Sequence, residues 1–182
     1  MKKECTAFQY MQELANQSLR QPQGAKTNEL PKQDWLGLTF VIGSMLYATK
    51  MTNVEAVIPV GQIYSLPVQH SGVLGFSQYH NRVFAVVDLK AVFWKQESEF
   101  RAESRIIIYQ YHDLWIGILV CACLGLKNFK TNQTEHNTPD ESNSYINFIT
   151  QMVYEDETHW AVLDAENLLS EINSGRLFLQ QT

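Results

Sequence analysis

The sequence predicts a mainly β protein carrying a helical extension at its N-terminus. Two patterns lead there. From Trp35 onward, apolar residues alternate with polar ones in short runs broken by turn residues. Helical spacing, by contrast, is confined to residues 6–20 and to two short segments that each follow an aspartate, Asp88 and Asp164.

Residues 6–20 place Phe8, Met11, Ala15 and Leu19 on one stripe, with Thr6 positioned to cap the start. Residues 21–34 contain Pro22, Gly24, Pro31 and many polar side chains, and read as a linker. The β pattern then opens. Leu38, Phe40 and Ile42 alternate with Thr39 and Val41, Gly43-Ser44 turns the chain, and Met45 to Lys50 returns as a hairpin. A strand over Gly72 to Tyr79 turns tightly at His80-Asn81-Arg82 into Val83 to Val87. Asn81 suits such a turn because asparagine tolerates positive φ. Asp88 caps a one-turn helix over Leu89 to Trp94.

Arg105 to Tyr111 is strongly β-prone, and His112-Asp113 turns it into the uncharged run Leu114 to Leu126. Two glycines inside that run favour buried strand over helix. From Lys130 to Ser144 there is no large apolar residue, so ordering entropy has nothing to offset it and a mobile loop is expected. A last hairpin joins Phe148–Tyr154 to His159–Leu163. Asp164 opens a final helix through Leu168, Leu169 and Ile172, which stops at Gly175. The domain reading is therefore helix and linker over 1–34, a β domain of two subdomains over 35–175, and a tail over 176–182.

Val86-Val87-Asp88-Leu89 with Val92-Phe93 is echoed by Val162-Leu163-Asp164-Ala165 with Leu168-Leu169. In both, a strand ends on an apolar pair, aspartate caps, and a short amphipathic helix follows. Two similar β units would produce this echo; so would chance, since such junctions are common.

Composition narrows the function. The 182 residues suffice for one domain or two small subdomains sharing an interface. Hydrophobic residues make up 45% and charged residues 18%, which supports a sizeable core. A net charge of −5 without a Lys/Arg stripe disfavours nucleic acid and anionic membrane as partners. Three cysteines, Cys5, Cys121 and Cys123, are too few and odd in number for a secreted disulfide scaffold, and fit a cytoplasmic protein. The longest apolar run is too short to span a bilayer, which takes roughly 18 residues as a helix.

Catalytic chemistry finds little support. His70, His80, His112, His136 and His159 are dispersed and none stands at metal-ligand spacing. Cys121 and Cys123 lie two apart in a strand and are better read as small buried hydrophobes than as ligands. There is no phosphate-binding glycine loop and no nucleophile elbow. The aspartates sit at turns or caps. No enzyme activity, cofactor or metal is expected. An enzyme built on the two cysteines would need a reactive, low-pKa thiol, and a small-molecule-binding barrel would be expected to retain its ligand on purification.

Phe40-Val-Ile-Gly43, Tyr47-Ala48, Val54-Glu-Ala-Val57, Leu66-Pro67, Val73-Leu-Gly75 and Val83-Phe-Ala-Val86-Val-Asp88-Leu89 form an ordered series of landmarks. The series resembles the CheW family of bacterial chemosensory coupling proteins, over about residues 35–172. Within it, Ala7-Phe8-Gln9 opening a helix and Trp35-Leu-Gly37-Leu-Thr-Phe40 resemble the PilI type of type IV pilus systems. The resemblance implies two intertwined five-stranded SH3-like barrels. It also implies a non-enzymatic adaptor that binds the tip of a methyl-accepting chemoreceptor and the regulatory domain of a CheA-type histidine kinase, in twitching motility; the alternative is a flagellar-type coupling protein. It places the protein at the membrane-associated receptor array and leaves its assembly there open.

The family's contact positions fall on Val54, Glu55 and Val57, on Gly75, and on Tyr79, His80, Asn81 and Arg82. The chain departs from the family pattern in this region: Ala56 stands where the family has a glutamate, His80 where it has an arginine, Asn81 where it has a glycine and Ala85 where it usually has a proline.

Overall fold

The computed structural model describes residues 34–66, 72–130, 134–135, 144–155 and 157–179. The expected N-terminal helix and nearly all of its linker, and the Pro67 landmark, lie outside the described residues. Among the described residues eleven strands are present: β1 Trp35–Ile42, β2 Met45–Lys50, β3 Val54–Pro59, β4 Val73–Tyr79, β5 Arg82–Asp88, β6 Arg105–Tyr111, β7 Leu114–Val120, β8 Ala122–Phe129, β9 Thr134–Glu135, β10 Ile149–Glu155 and β11 Thr158–Leu163. Three short α-helices accompany them among the described residues: α1 Leu89–Trp94, α2 Ala165–Asn173 and α3 Arg176–Leu179.

The strands form two sheets on one plan. One has the order β3-β6-β7-β5-β4, the other β8-β1-β2-β11-β10 with the two-residue β9 added at its edge. In the first, β5 runs parallel to β7; in the second, β11 runs parallel to β2; every other pair is antiparallel. Strand β3 therefore corresponds to β8, hairpin β4–β5 to β10–β11, and hairpin β6–β7 to β1–β2.

The correspondence reaches single residues. An extra residue bulges from each edge strand at the same point, Glu55 on β3 and Leu124 on β8. Tyr64 bridges back to Phe76 of β4 and closes the first sheet into a barrel, as Glu135 pairs with Met152 of β10 in the second. The backbone N–H of Asp88 donates to Gly72 O at 2.8 Å, and that of Asp164 to Phe148 O at 2.8 Å. The echo between residues 86–93 and 162–169 is this repeat read in sequence.

One barrel is built from β3–β7, the middle of the chain, and is called central below. The other takes β1–β2 from before it and β8–β11 from after it, and is called terminal. Each barrel has its own interior, with Phe84, Val86, Ile106, Ile108 and Leu119 in the central one and Phe129, Val153, Trp160 and Val162 in the terminal one. The largest core lies between them. There Phe40, Tyr47 and Leu163 of the terminal barrel meet Tyr109, Ile116 and Ile118 of the central one, with Val92, Phe93, Leu168 and Leu169 of the helices.

Three expectations change. The apolar run Leu114 to Leu126 is not one strand: it bends at Cys121, whose N–H donates to Val41 O at 2.8 Å, so Cys121 sits between β7 and β8 while Cys123 lies on β8. Within the segment 130–144, Thr134 and Glu135 pair with β10, because the second barrel needs a closing bridge there; residues 131–133 and 136–143 lie outside the described residues. The region from 176 begins as a helical turn rather than a tail, with Leu177 buried in the shared core.

Candidate partner-binding site

The positions singled out in sequence gather on the central barrel. Tyr79 pairs with Arg82 across a two-residue turn in which His80 (φ 46°) and Asn81 (φ 61°) both take positive φ. This is the backbone hand that suits a twisted hairpin, and His80 adopts it at a cost glycine would not incur. The turn stands at the end of the barrel where β6 and β7 also turn and where β3 begins.

Tyr79 and Arg82 do not point away from the protein. Both lie on the strand face that lines the barrel interior, and they cover its mouth around Trp115. The Arg82 guanidinium carbon is 4.7 Å from the Trp115 ring centroid, a cation–π contact. Tyr79 packs half-buried with its ring 6.4 Å from Trp115 and 4.1 Å from His80. The Trp115 indole N–H is buried with no hydrogen-bond partner. His80 and Asn81 are exposed at the tip, and Arg82 stays exposed while lying over Trp115.

Val54 pairs with Tyr109 at the start of β3, half-buried against the shared core, and Glu55 bulges outward. A cleft of about 310 Å³ lies here, lined by Thr52, Val54, Glu55, Gln110 and His112. Tyr109 itself is fully buried, and burial pushes its phenol well above the ordinary tyrosine value, an effect the neighbouring Thr49 hydroxyl opposes. Neither hydroxyl, however, finds a regular hydrogen bond. Val57, the residue after Ala56, pairs with Ile107 and is partly exposed at the same edge.

Gly75 sits apart from this end. Its φ is +139°, and a Cβ there would collide with the Tyr64 carbonyl oxygen. The glycine is what allows the Tyr64 segment to cross β4 and close the barrel, with reciprocal Tyr64–Phe76 hydrogen bonds of 2.8 and 2.9 Å. Its role in this chain is thus anchored in barrel closure.

Sequence reasoning passed over Trp115, which organises the barrel mouth, and over Phe76, Val83 and Leu114, which are exposed on the outer face beside it. A signal existed. Strand β5 is apolar at Val83, Ala85 and Val87 as well as at Phe84 and Val86, and a strand apolar on both faces expects both to be covered. Among the described residues no three His, Cys, Asp or Glu side chains are arranged to hold a metal ion, and no helix is long and apolar enough to cross a membrane.

Comparison with known proteins agrees with this architecture. The CheW-like domain family matches residues 36–173. Protein PilI of Pseudomonas aeruginosa is 22% identical over 163 residues, covering 90% of this chain and 91% of that protein. The crystal structure of the scaffolding protein TtCheW from Thermoanaerobacter tengcongensis superposes with a TM-score of 0.66 at 19% identity, covering 79% of this chain and 93% of that one. With two barrels on one plan and a family match spanning both, this chain belongs to the CheW-like domain family.

Proposed function

We propose that this protein is a non-enzymatic adaptor that couples a methyl-accepting chemoreceptor to a CheA-type histidine kinase in the signalling system of type IV pilus twitching motility. The observation that carries the reading is that two distant segments, Val54–Glu55 and Tyr79–Arg82, lie at the same end of one barrel, the second of them over Trp115. An adaptor needs such a surface and needs no reacting group. The likeness to PilI across most of both chains supports the pilus system over a flagellar one. In this reading the protein works in the cytoplasm at the membrane-associated receptor array.

The test is co-purification of the full chain with the receptor's cytoplasmic fragment and with the kinase's regulatory domain, separately and together. Binding to both supports the adaptor; binding to neither overturns it. His80→Asp should weaken the receptor arm without changing the melting temperature, because His80 is exposed at the turn tip. A deletion strain should lose twitching and keep swimming.

A further inference from the structure

The two hairpins that meet at the mouth of the central barrel turn on nearly the same four residues. Gln78-Tyr79-His80-Asn81 leads β4 into β5, and Gln110-Tyr111-His112-Asp113 leads β6 into β7. Both hairpins belong to one barrel, so this likeness is not the repeat that relates one barrel to the other. The geometry is shared as well. His80 takes φ 46° and His112 φ 51°. Each imidazole stands edge-on to the tyrosine before it, with ring centroids 4.1 and 4.5 Å apart and planes at 82° and 67°. Both histidines are exposed. Positive φ strains a histidine more than a glycine or an asparagine, so the backbone supplies no reason for the residue at either tip.

Strand order sets the two tips side by side. Strands β7 and β5 are parallel neighbours, with Ala85 level with Ile116. Carried three residues back, that register puts Arg82 level with Asp113. Across the barrel end the turn residues then run His112, Asp113, Asn81, His80, and the two histidines stand about 14 Å apart at the usual strand spacing. That exceeds the Debye length of about 8 Å at physiological salt, so a charge on one does little to oppose a charge on the other. Glu55 shares the cleft beside β3 with His112. Asp113 stands between the tips, Arg82 lies over Trp115, and Lys50 is beyond Thr52 at the end of β2. With neutral imidazoles these two carboxylates and two cations balance; with both imidazoles protonated the barrel end gains two positive charges. Histidine is the side chain whose charge changes between pH 5 and 8.

We infer that the paired turns form a pH-graded contact for an acidic patch on the partner, with His80 and His112 supplying the charge. This rests on the adaptor reading above, in which the partner at this end is the receptor. An acidic patch favours the protonated imidazoles, so affinity rises as pH falls, and the two contributions add independently. The gain arises at an exposed surface and shrinks with added salt.

The experiment measures affinity of the full chain for the receptor's cytoplasmic fragment between pH 8 and pH 6 at low salt. The variants are His80→Asn, His112→Asn and both together, because asparagine tolerates positive φ and carries no charge. His159→Asn, beside Tyr154 on the terminal barrel, is the control. Melting curves verify that each variant folds. Wild type and control should bind about fivefold more tightly at pH 6 than at pH 8, the sum of two ordinary surface ion pairs. Each single variant should keep roughly half of that gain on a logarithmic scale, and the double variant none. A folded double variant with the wild-type pH response assigns that response to the receptor and overturns the inference. Wild-type binding that is flat or weaker at pH 6 overturns it too. In both cases the adaptor stands. A chain that binds neither the receptor fragment nor the kinase domain at any pH removes the adaptor reading and this contact with it.

Discussion

At the scale of single residues, Gly75 and Tyr109 show how position overrides residue type. Gly75 belongs to a short list of family landmarks, and its φ of +139° and the Tyr64 carbonyl beside it supply a physical reason for glycine. Gly75→Ala must move backbone rather than a flexible side chain. The expected loss is about 2–4 kcal/mol, read from urea denaturation, with the Tyr64 segment released from β4. Tyr109 carries a buried phenol whose pKa is raised by burial. Above about pH 10 the unfolded chain loses that proton while the folded chain keeps it, so stability falls as pH rises through that region. Tyr109→Phe should lie within about 1 kcal/mol of wild type at pH 8, since its hydroxyl has no regular partner to lose, and should fall less steeply between pH 9 and 11. Unfolding midpoints of the two proteins across that range check the sign.

At the scale of elements, the two aspartate caps look alike in sequence and differ in what they hold. Asp164 accepts from Asn167 N at 3.0 Å and caps α2. Asp88 is fully buried and accepts four bonds: from Lys90 N, from Ala91 N, and from both the N–H and the hydroxyl of Ser98 at 2.7 and 2.8 Å. It therefore ties α1 to the connection that leads into β6. Asp164→Ala should cost about 1 kcal/mol, the usual value for a lost cap. Asp88→Ala strands buried donors and should cost roughly 3–4 kcal/mol. Equal losses in the two variants would contradict this account. Both caps were legible in the sequence because strand–Asp–helix is a local pattern. The Ser98 clamp was not, because it joins residues whose proximity depends on the path of an irregular loop.

At the scale of the whole molecule, the terminal barrel cannot form until both ends of the β domain have met, since β2 takes its parallel partner from β11. Both barrels also share one core. Far-UV circular dichroism and tryptophan fluorescence should then report a single coincident urea transition for the body of the protein. A chain truncated after residue 130 loses β9 to β11 and should show no cooperative transition in the terminal barrel. A truncated chain that melts as sharply as the full one would mean the barrels fold independently.

By itself, the sequence determined the mainly β class, most hairpins with their turns, both aspartate-capped helices and a resemblance strong enough to name the family. Each of these rests on contacts between near neighbours in the chain, or on landmarks whose order alone is informative. The tertiary structure decided the rest. It set β1–β2 against β10–β11, broke the apolar run at Cys121, and turned Tyr79 and Arg82 inward onto Trp115. It also left Phe76, Val83 and Leu114 exposed on a face where Val87, Ile107, Ile116 and Ile118 are buried. Alternation along a strand states that a side chain lies on one face or the other; what covers that face depends on elements far away in sequence, and only the folded chain brings them together.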